Sequence, residues 1–457
     1  LLATPFLLFP SPSRLLILFI VPGLWIVAWI AGREPLPRTP LNVALLLMFC
    51  MVLVSLGATY DVVVSLPKIS GMVLGVGVFF AVAREAARPR GWILSSLFFL
   101  GIGLGIATLG LFGTSWTTSK MILIGPMAAR LPRFITGLQG AESGFNPNEV
   151  AGALIWALPL MIAINAALFF LSRPSKNEDA GYLIRKDWLE KMRGWRLVGV
   201  AILCLATTFF ALAVFILTQS RGGYIGLALT LPALILIALS PKWRWYSLPL
   251  LALLVAVLGV LLASRWEAAR IEIININSAP TPLSATTLDL RLEVWSRAIY
   301  GIQDFPFTGM GMNTFRKVTP ALYPLFLIDP DSDISHSHNE FLQAALDLGI
   351  PGLIAFLALY IGAFWMLADI WRSTSRLAPD MGRWSPIIRY LTLGLCGGLF
   401  AHLLYGLTDA VALGAKPGVL FWMLLGLITG LHRQAQESWI VIDGSVPAIG
   451  AENGLRE

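Results

Sequence analysis

Two histidines stand together in Ser-His-Ser-His-Asn-Glu, residues 335–340, directly before a run with helical apolar spacing. Histidine is the side chain whose ordinary titration range suits general-base work near neutral pH. Ser337 and Glu340 have the spacing of an S-x-x-E capping box. That box predicts a helix from His338 to about Gly349, with Pro351 just past a terminal glycine. His338 would then occupy the first helical position, beside unpaired N–H groups and the positive end of the dipole, a setting that favours a neutral ring. The same N–H groups suit an anion such as phosphate. The plain alternative is a polar residue at a helix start. Asp329, Asp331 and Asp333 lie close by in sequence, but His-Ser-His without a further ligand motif assigns no metal.

Two arginines are candidates for binding an anion. In "TLDLRLEVWSRAIYGIQDF", Leu288, Leu292, Trp295, Ile299 and Ile302 recur at helical spacing as an expected apolar stripe. Arg291 lies about 40° from Trp295 on a helical wheel and Arg297 about 200° away. Arg291 is therefore the one expected to point inward, towards either a carboxylate or a substrate phosphate. Arg221, in "LTQSRGGYIGL", stands where two apolar runs meet with almost no loop, and Gly222 and Gly223 permit the tight turn. It reads either as a snorkelling anchor or as a pyrophosphate contact, for which arginine offers a planar, permanently charged fork. Asn146 and Asn148 precede another apolar run, where capping is the default role. His402 and Asp409 fall within and at the end of a late apolar run; a packing hydrogen bond is the expected role of His402.

The elements that position these residues belong to a membrane. Hydrophobic residues make up 57% of the 457 positions, charged residues only 13%, and mean hydropathy is +0.76. Soluble domains carry about a quarter charged residues. Spanning helices are expected near 14–32, 41–58, 64–84, 92–112, 149–171, 197–219, 222–240, 246–264, 350–371, 389–409 and 415–432. The apolar Leu1–Phe9 is expected to be the remnant of one more, truncated at the start, for about twelve in all. Arg84, Arg88 and Arg90, the basic cluster between Arg173 and Arg196, Lys242 with Arg244, and Arg372 with Arg376 and Arg383 all fall on one side when the spans alternate. That side is expected to be cytoplasmic, and the distribution excludes a nucleic-acid stripe despite a pI near 9.4. The expected organisation is an all-α polytopic bundle. It comprises an N-terminal transmembrane part (1–264), a large periplasmic loop with short helices between the ninth and tenth spans (265–349), C-terminal transmembrane helices (350–432) and a cytoplasmic tail (433–457). Cys50, Cys204 and Cys396 are scattered in apolar runs and read as small core residues.

"SRGG" at a helix hairpin, "RLEVW" opening the long loop and "HNEFLQAALDLGIPG" closing it resemble the O-antigen ligase/polymerase superfamily. His338, Asn339, Gly349 and Gly352 fit the spacing of the histidine motif of O-antigen ligases. The resemblance implies transfer of a glycan from an undecaprenyl-pyrophosphate donor to an acceptor hydroxyl, with inversion, at the outer face of the bacterial cytoplasmic membrane. In that scheme His338 is the base and Arg221 and Arg291 hold the pyrophosphate. His336, Asn339 and Asn148 are further candidates for substrate contact, and no metal or cofactor is expected. Expected partners are the lipid-linked donor, a glycan, lipid or protein acceptor, and membrane lipid, but no nucleic acid. Related branches are O-antigen polymerases, protein O-oligosaccharyltransferases and a bicarbonate-transporter branch that "HLLYGLTDA", residues 402–410, resembles. A small-anion transporter therefore stands as the alternative.

Overall fold

A computed structural model of the chain describes residues 17–32, 36–116, 125–137, 144–172, 194–238, 287–329, 333–374, 385–411 and 413–442. The expected span 246–264, the loop segment 265–286 and most of the basic loop 173–196 lie outside the described residues. Apart from short turns, the elements are α1 (Ile17–Ile30), α2 (Asn42–Ala58), α3 (Val62–Ala86), α4 (Gly91–Gly113), α5 (Pro147–Ser172), α6 (Gly194–Leu217), α7 (Arg221–Ala238), α8 (Thr287–Asp304), α9 (Phe315–Leu322), α10 (Glu340–Thr374), α11 (Ser385–Gly406) and α12 (Val419–Ile442). Among the described residues, seven helices are long and apolar enough to cross a membrane: α3, α4, α5, α6, α7, α10 and α11. The protein is an all-helical, multi-pass membrane protein.

The bundle is built round α5 and α12, whose Ala151–Leu158 and Leu420–Leu425 stretches are fully buried. Helix α5 packs on α11, α12 on α3, and α10 on α2. Small residues Gly394, Gly397 and Gly398 line α11 where it meets Trp156, Pro159 and Leu160, which lets two backbones approach closely. The outer faces carry Leu97, Phe98, Leu203 and Phe209 in the open; in a bilayer such side chains meet acyl chains rather than water. Cys50 sits on such an exposed face, a correction to its reading as a core residue, while Cys204 and Cys396 are partly buried.

Polar residues start the helices at one end of the bundle. Asp61 Oδ1 accepts the Val63 N–H at 2.8 Å to cap α3, and Asn146 Oδ1 accepts the Asn148 N–H at 2.9 Å at the start of α5. At this end α3, α5, α7, α10 and α12 begin and α2, α4, α6 and α11 finish. The turn bearing Arg88 lies at the other end, where Gln434 of α12 donates to its carbonyl.

Helix α10 breaks where the sequence placed a stop: Gly349 has φ +69 and ψ 178, and the helix resumes beyond it. A Cβ at Gly349 would lie 2.5 Å from the Phe307 carbonyl oxygen, so that position takes only glycine. Two backbone bonds seal the break, Met310 N to Leu346 O and Ile350 N to Pro306 O, both 2.7 Å. They dock the 306–316 segment onto the first turns of α10. Helix α8 joins the same layer through Val294 and Ala298, packed with Met310, Phe315 and Leu346. This corrects the expected stripe, because Leu292 and Ile299 are exposed. The helix is turned so that the buried Glu293 carboxylate accepts the Phe326 and Leu327 N–H groups, a demand invisible to apolar spacing.

Candidate functional site

The two histidines meet a third residue from α11's end. Asp409 Oδ1 lies 3.4 Å from His338 Nδ1 and 3.7 Å from His336 Nε2. The carboxylate is buried, and its Oδ1 also accepts the Ala410 N–H at 3.0 Å. Burial is the strongest single influence on Asp409 and pushes its pKa up. The His338 side chain, His336 and the Ala410 N–H together outweigh it and hold the carboxyl below its ordinary value. Asp409 is therefore ionised at neutral pH.

The local fold of the histidine segment differs from the capping box. Helix α10 begins at Glu340, and its cap is Asn339, whose Oδ1 accepts the Phe341 and Leu342 N–H groups at 3.0 Å each. Glu340 does not reach back to Ser337. Its carboxylate is buried and accepts the N–H groups of Val411 at 2.7 Å and Leu413 at 3.3 Å. His338 thus precedes the helix, in the left-handed region at φ +51, rather than sitting at its first position. An extended or helical backbone there would aim the ring elsewhere, so this conformation is part of the site. Asn339 Nδ2 donates to Leu407 O at 3.1 Å. Asn339 and Glu340 together clamp the Asp409 turn to the histidines.

The two rings have different roles written into their contacts. His336 is buried, and its Nδ1 accepts the His338 backbone N–H at 3.2 Å. Burial first, then the nearby His338, Lys68 and Arg316, lower its pKa to about 4, although Asp409 works in the opposite direction. A ring that is neutral when folded but basic when unfolded binds fewer protons in the native state. Its contribution to stability is complete above the ordinary histidine range and drains away as pH falls from about 6.5 towards 4. Melting temperature is expected to fall between pH 7.5 and 5 in the wild type and to fall less in His336→Gln; parallel curves would contradict this.

His338 is about a third exposed. Its Nδ1 is buried against Asp409 without an aligned hydrogen bond, and its Nε2 makes none among the described residues. One ring nitrogen faces the Asp409 carboxylate, and the other makes no bond among the described residues. The ligand atoms of His336, His338 and Asp409 lie within 4.8 Å of one another, close enough for a metal. The His338 N–H on His336 Nδ1 argues against that use. It places the proton of a neutral His336 on Nε2, the atom a metal would need. Asp333, close to the histidines in sequence, pairs with Arg316 at 3.0 Å; Asp331 lies outside the described residues.

Of the other expected residues, Arg221 is exposed at the first turn of α7 and has no hydrogen bond or ion pair among the described residues. Its neighbour Gly222 packs against Thr408, and a Cβ there would come within 2.2 Å of the Thr408 hydroxyl. The missing side chain is what lets the Arg221 hairpin lie beside the Asp409 turn. Asn148 is held to the same region through its carbonyl, which accepts the Tyr405 hydroxyl at 2.7 Å. Arg291 is half-buried on α8 and makes no ion pair among the described residues, so the structure does not bond it to the histidine pair. Arg297, expected to face away, is the engaged arginine. It donates to Pro324 O at 2.8 Å and stands 3.6 Å from Glu293. The error follows from the rotated stripe.

Sequence reasoning passed over Lys68 and Arg316, the cations whose charges act on His336. A lone lysine inside an otherwise apolar span is itself a signal. Lys68 pairs with Asp347 at 2.9 Å, and Asp347 Oδ1 accepts the Asn313 N–H and the Gln343 amide. Gln343 in turn accepts the Ser337 N–H at 2.8 Å. One buried chain of bonds thus runs from α3 to the backbone between the histidines. His402 makes the expected packing bond, 3.0 Å from the Tyr360 hydroxyl, and stacks on Trp156.

Residues 206–357, from the middle of α6 into α10, match the sequence model of the O-antigen ligase family. The match supports the resemblance to the O-antigen ligase-like superfamily and takes in Arg221, Arg291 and both histidines, whereas Lys68 and Asp409 lie outside it. Comparison with curated proteins finds no match.

Proposed function

We propose that this O-antigen ligase-like membrane protein transfers a glycan from undecaprenyl pyrophosphate to an acceptor hydroxyl, at the outer face of the bacterial cytoplasmic membrane. The observation that carries the reading is His338, whose Nδ1 faces a buried, ionised Asp409 at 3.4 Å and whose Nε2 makes no bond among the described residues. Asp409 keeps the proton on Nδ1, so that Nε2 presents a lone pair. Nε2 takes the proton of the acceptor hydroxyl as its oxygen attacks the anomeric carbon. The bond from that carbon to the diphosphate oxygen breaks on the opposite face, the carbon inverts, and the diphosphate leaves with the electron pair. The 3.4 Å contact is looser than a good hydrogen bond, and such contacts tighten when the reacting groups are bound. The imidazolium formed in the step sits beside the Asp409 charge, which stabilises it.

Charge builds on the leaving diphosphate, and preorganised donors there lower the barrier by about 10²–10³-fold each. Arg221 is the first candidate for that task, supported by its exposed position at the start of α7 and by the contact of Gly222 with Thr408, next to Asp409. Arg291 is the second candidate, half-buried on α8 with no ion pair among the described residues. The outer face is assigned because the Arg84, Arg88 and Arg90 turn closes the opposite end of the bundle.

O-antigen polymerase and protein O-oligosaccharyltransferase differ from this reading only in the acceptor. A small-anion, bicarbonate-type transporter would draw support from His402, an ionisable residue inside α11. That ring, however, is closed in by Trp156, Tyr360 and Tyr405 rather than opening on a path. The test is transfer by the purified protein from an undecaprenyl-pyrophosphate-linked glycan across a panel of sugar, lipid and peptide acceptors. Release of undecaprenyl pyrophosphate with a glycan on one acceptor supports the enzyme and names its branch. Bicarbonate flux in proteoliposomes without any transfer would overturn it.

A further inference from the structure

The two cations whose charges act on His336, Lys68 and Arg316, are not alike in how they are held. Lys68 is committed: its ammonium is 2.9 Å from a carboxylate that is 1% exposed and whose other oxygen is filled by Asn313 and Gln343. Arg316 is held far more loosely. Its Nη2 is 3.0 Å from Asp333, a carboxylate 63% exposed, and its Nε is buried with no acceptor among the described residues. An exposed ion pair contributes little, whereas a buried, unpaired N–H of a charged fork is costly.

The backbone fixes where this fork stands. Asn313, three residues before Arg316, bonds to Asp347 and to the Val64 carbonyl, and Met312 N–H donates to Ser55. Asp333 is three residues before His336, and the Ser337 N–H is tied through Gln343 to the same Asp347. Arg316 and the histidines therefore stand on two segments pinned to one buried carboxylate, and the Arg316 charge acts on His336.

We propose that Arg316 is a displaceable anion-binding residue, held at rest by Asp333 and released to grip a phosphate or diphosphate group that enters beside the histidine pair. The idle Nε and the Nη2 on Asp333 form one side of the guanidinium fork, the edge that takes two oxygens of an anion at once. A diphosphate entering there displaces a solvent-exposed carboxylate and also satisfies the empty Nε. Asp333 is then a competitor, and its removal strengthens binding instead of weakening it. The identification of the anion with the donor's leaving group rests on the transfer reaction proposed above.

The test is a binding cycle on the full-length protein in detergent: wild type, Asp333→Asn, Arg316→Gln and the double variant. Dissociation constants are measured for undecaprenyl pyrophosphate and, separately, for inorganic pyrophosphate. Asp333→Asn is expected to bind both probes several-fold more tightly, Arg316→Gln several-fold more weakly, and the gain should vanish in the double variant. A gain of equal size with and without the arginine, or no gain in Asp333→Asn, overturns the proposal and leaves the transfer reaction untouched. A gain with inorganic pyrophosphate alone overturns the link to the lipid-borne donor. If wild type binds neither probe, the proposed reaction falls together with this site.

Discussion

His338→Ala is expected to abolish glycan transfer while leaving the protein folded and able to bind the donor. The ring is about a third exposed and sits ahead of α10, so its loss removes no core packing. The cap on α10 belongs to Asn339 and the docking bonds to Glu340, neither of which is touched. What disappears is the proton acceptor. General-base catalysis is worth roughly 10²–10⁴-fold, and a loss of that order in kcat with donor affinity held within a few-fold is the expected result. It is read by transfer kinetics beside a binding isotherm. Transfer at wild-type rate would end the assignment, because no other described side chain combines an open nitrogen with a buried carboxylate at this end of the bundle.

Asp409→Asn is the second large effect, and it tests a pairing with the histidines that only the fold shows. The amide keeps the size of the carboxylate and its carbonyl can still accept the Ala410 N–H. It removes the charge that faces both histidines. The His338 ring then loses the group that sets its tautomer and the counter-charge for the imidazolium, and activity is expected to fall by about 10²-fold or more. Because His336 is neutral when folded, the substitution leaves no buried positive charge stranded, so melting temperature should change little. A sharp drop in stability with transfer per folded molecule unchanged would make Asp409 a structural residue and sink the relay. The variant His338→Ala/Asp409→Asn should be no slower than His338→Ala alone, as expected of groups that act as one unit.

The bundle was legible because bilayer solvent imposes one rule: runs of about 20 apolar residues become helices, whose backbone groups satisfy one another internally. α3, α4, α5, α6, α7 and α11 fall within a few residues of the expected spans, and the Gly349 break was marked by glycine and proline. His336, His338 and Asn339 could be singled out because polar residues ahead of an apolar helix have few structural reasons to be histidine. Local pattern failed wherever one carboxylate could choose among several partners. Glu340 had the spacing to cap its own helix, yet it is spent on Val411 and Leu413, some seventy positions later in the chain. Glu293 turns α8 by bonding to Phe326 and Leu327, and that rotation engages Arg297, the arginine expected to face away, with Pro324 and Glu293.

The bilayer solvent, the helical class and the segment that carries the histidines can be read from the residues alone, since each depends on hydropathy or on neighbours close together in the chain. The partners of the histidines come from packing. Asp409 reaches His338 because Gly222 and Thr408 let two helix ends close up, and Asp347 reaches Ser337 because Gln343 lies between them. A buried charge is stable only beside its complement, and that complement is supplied by whichever helix end packing brings near, at a separation no periodicity records.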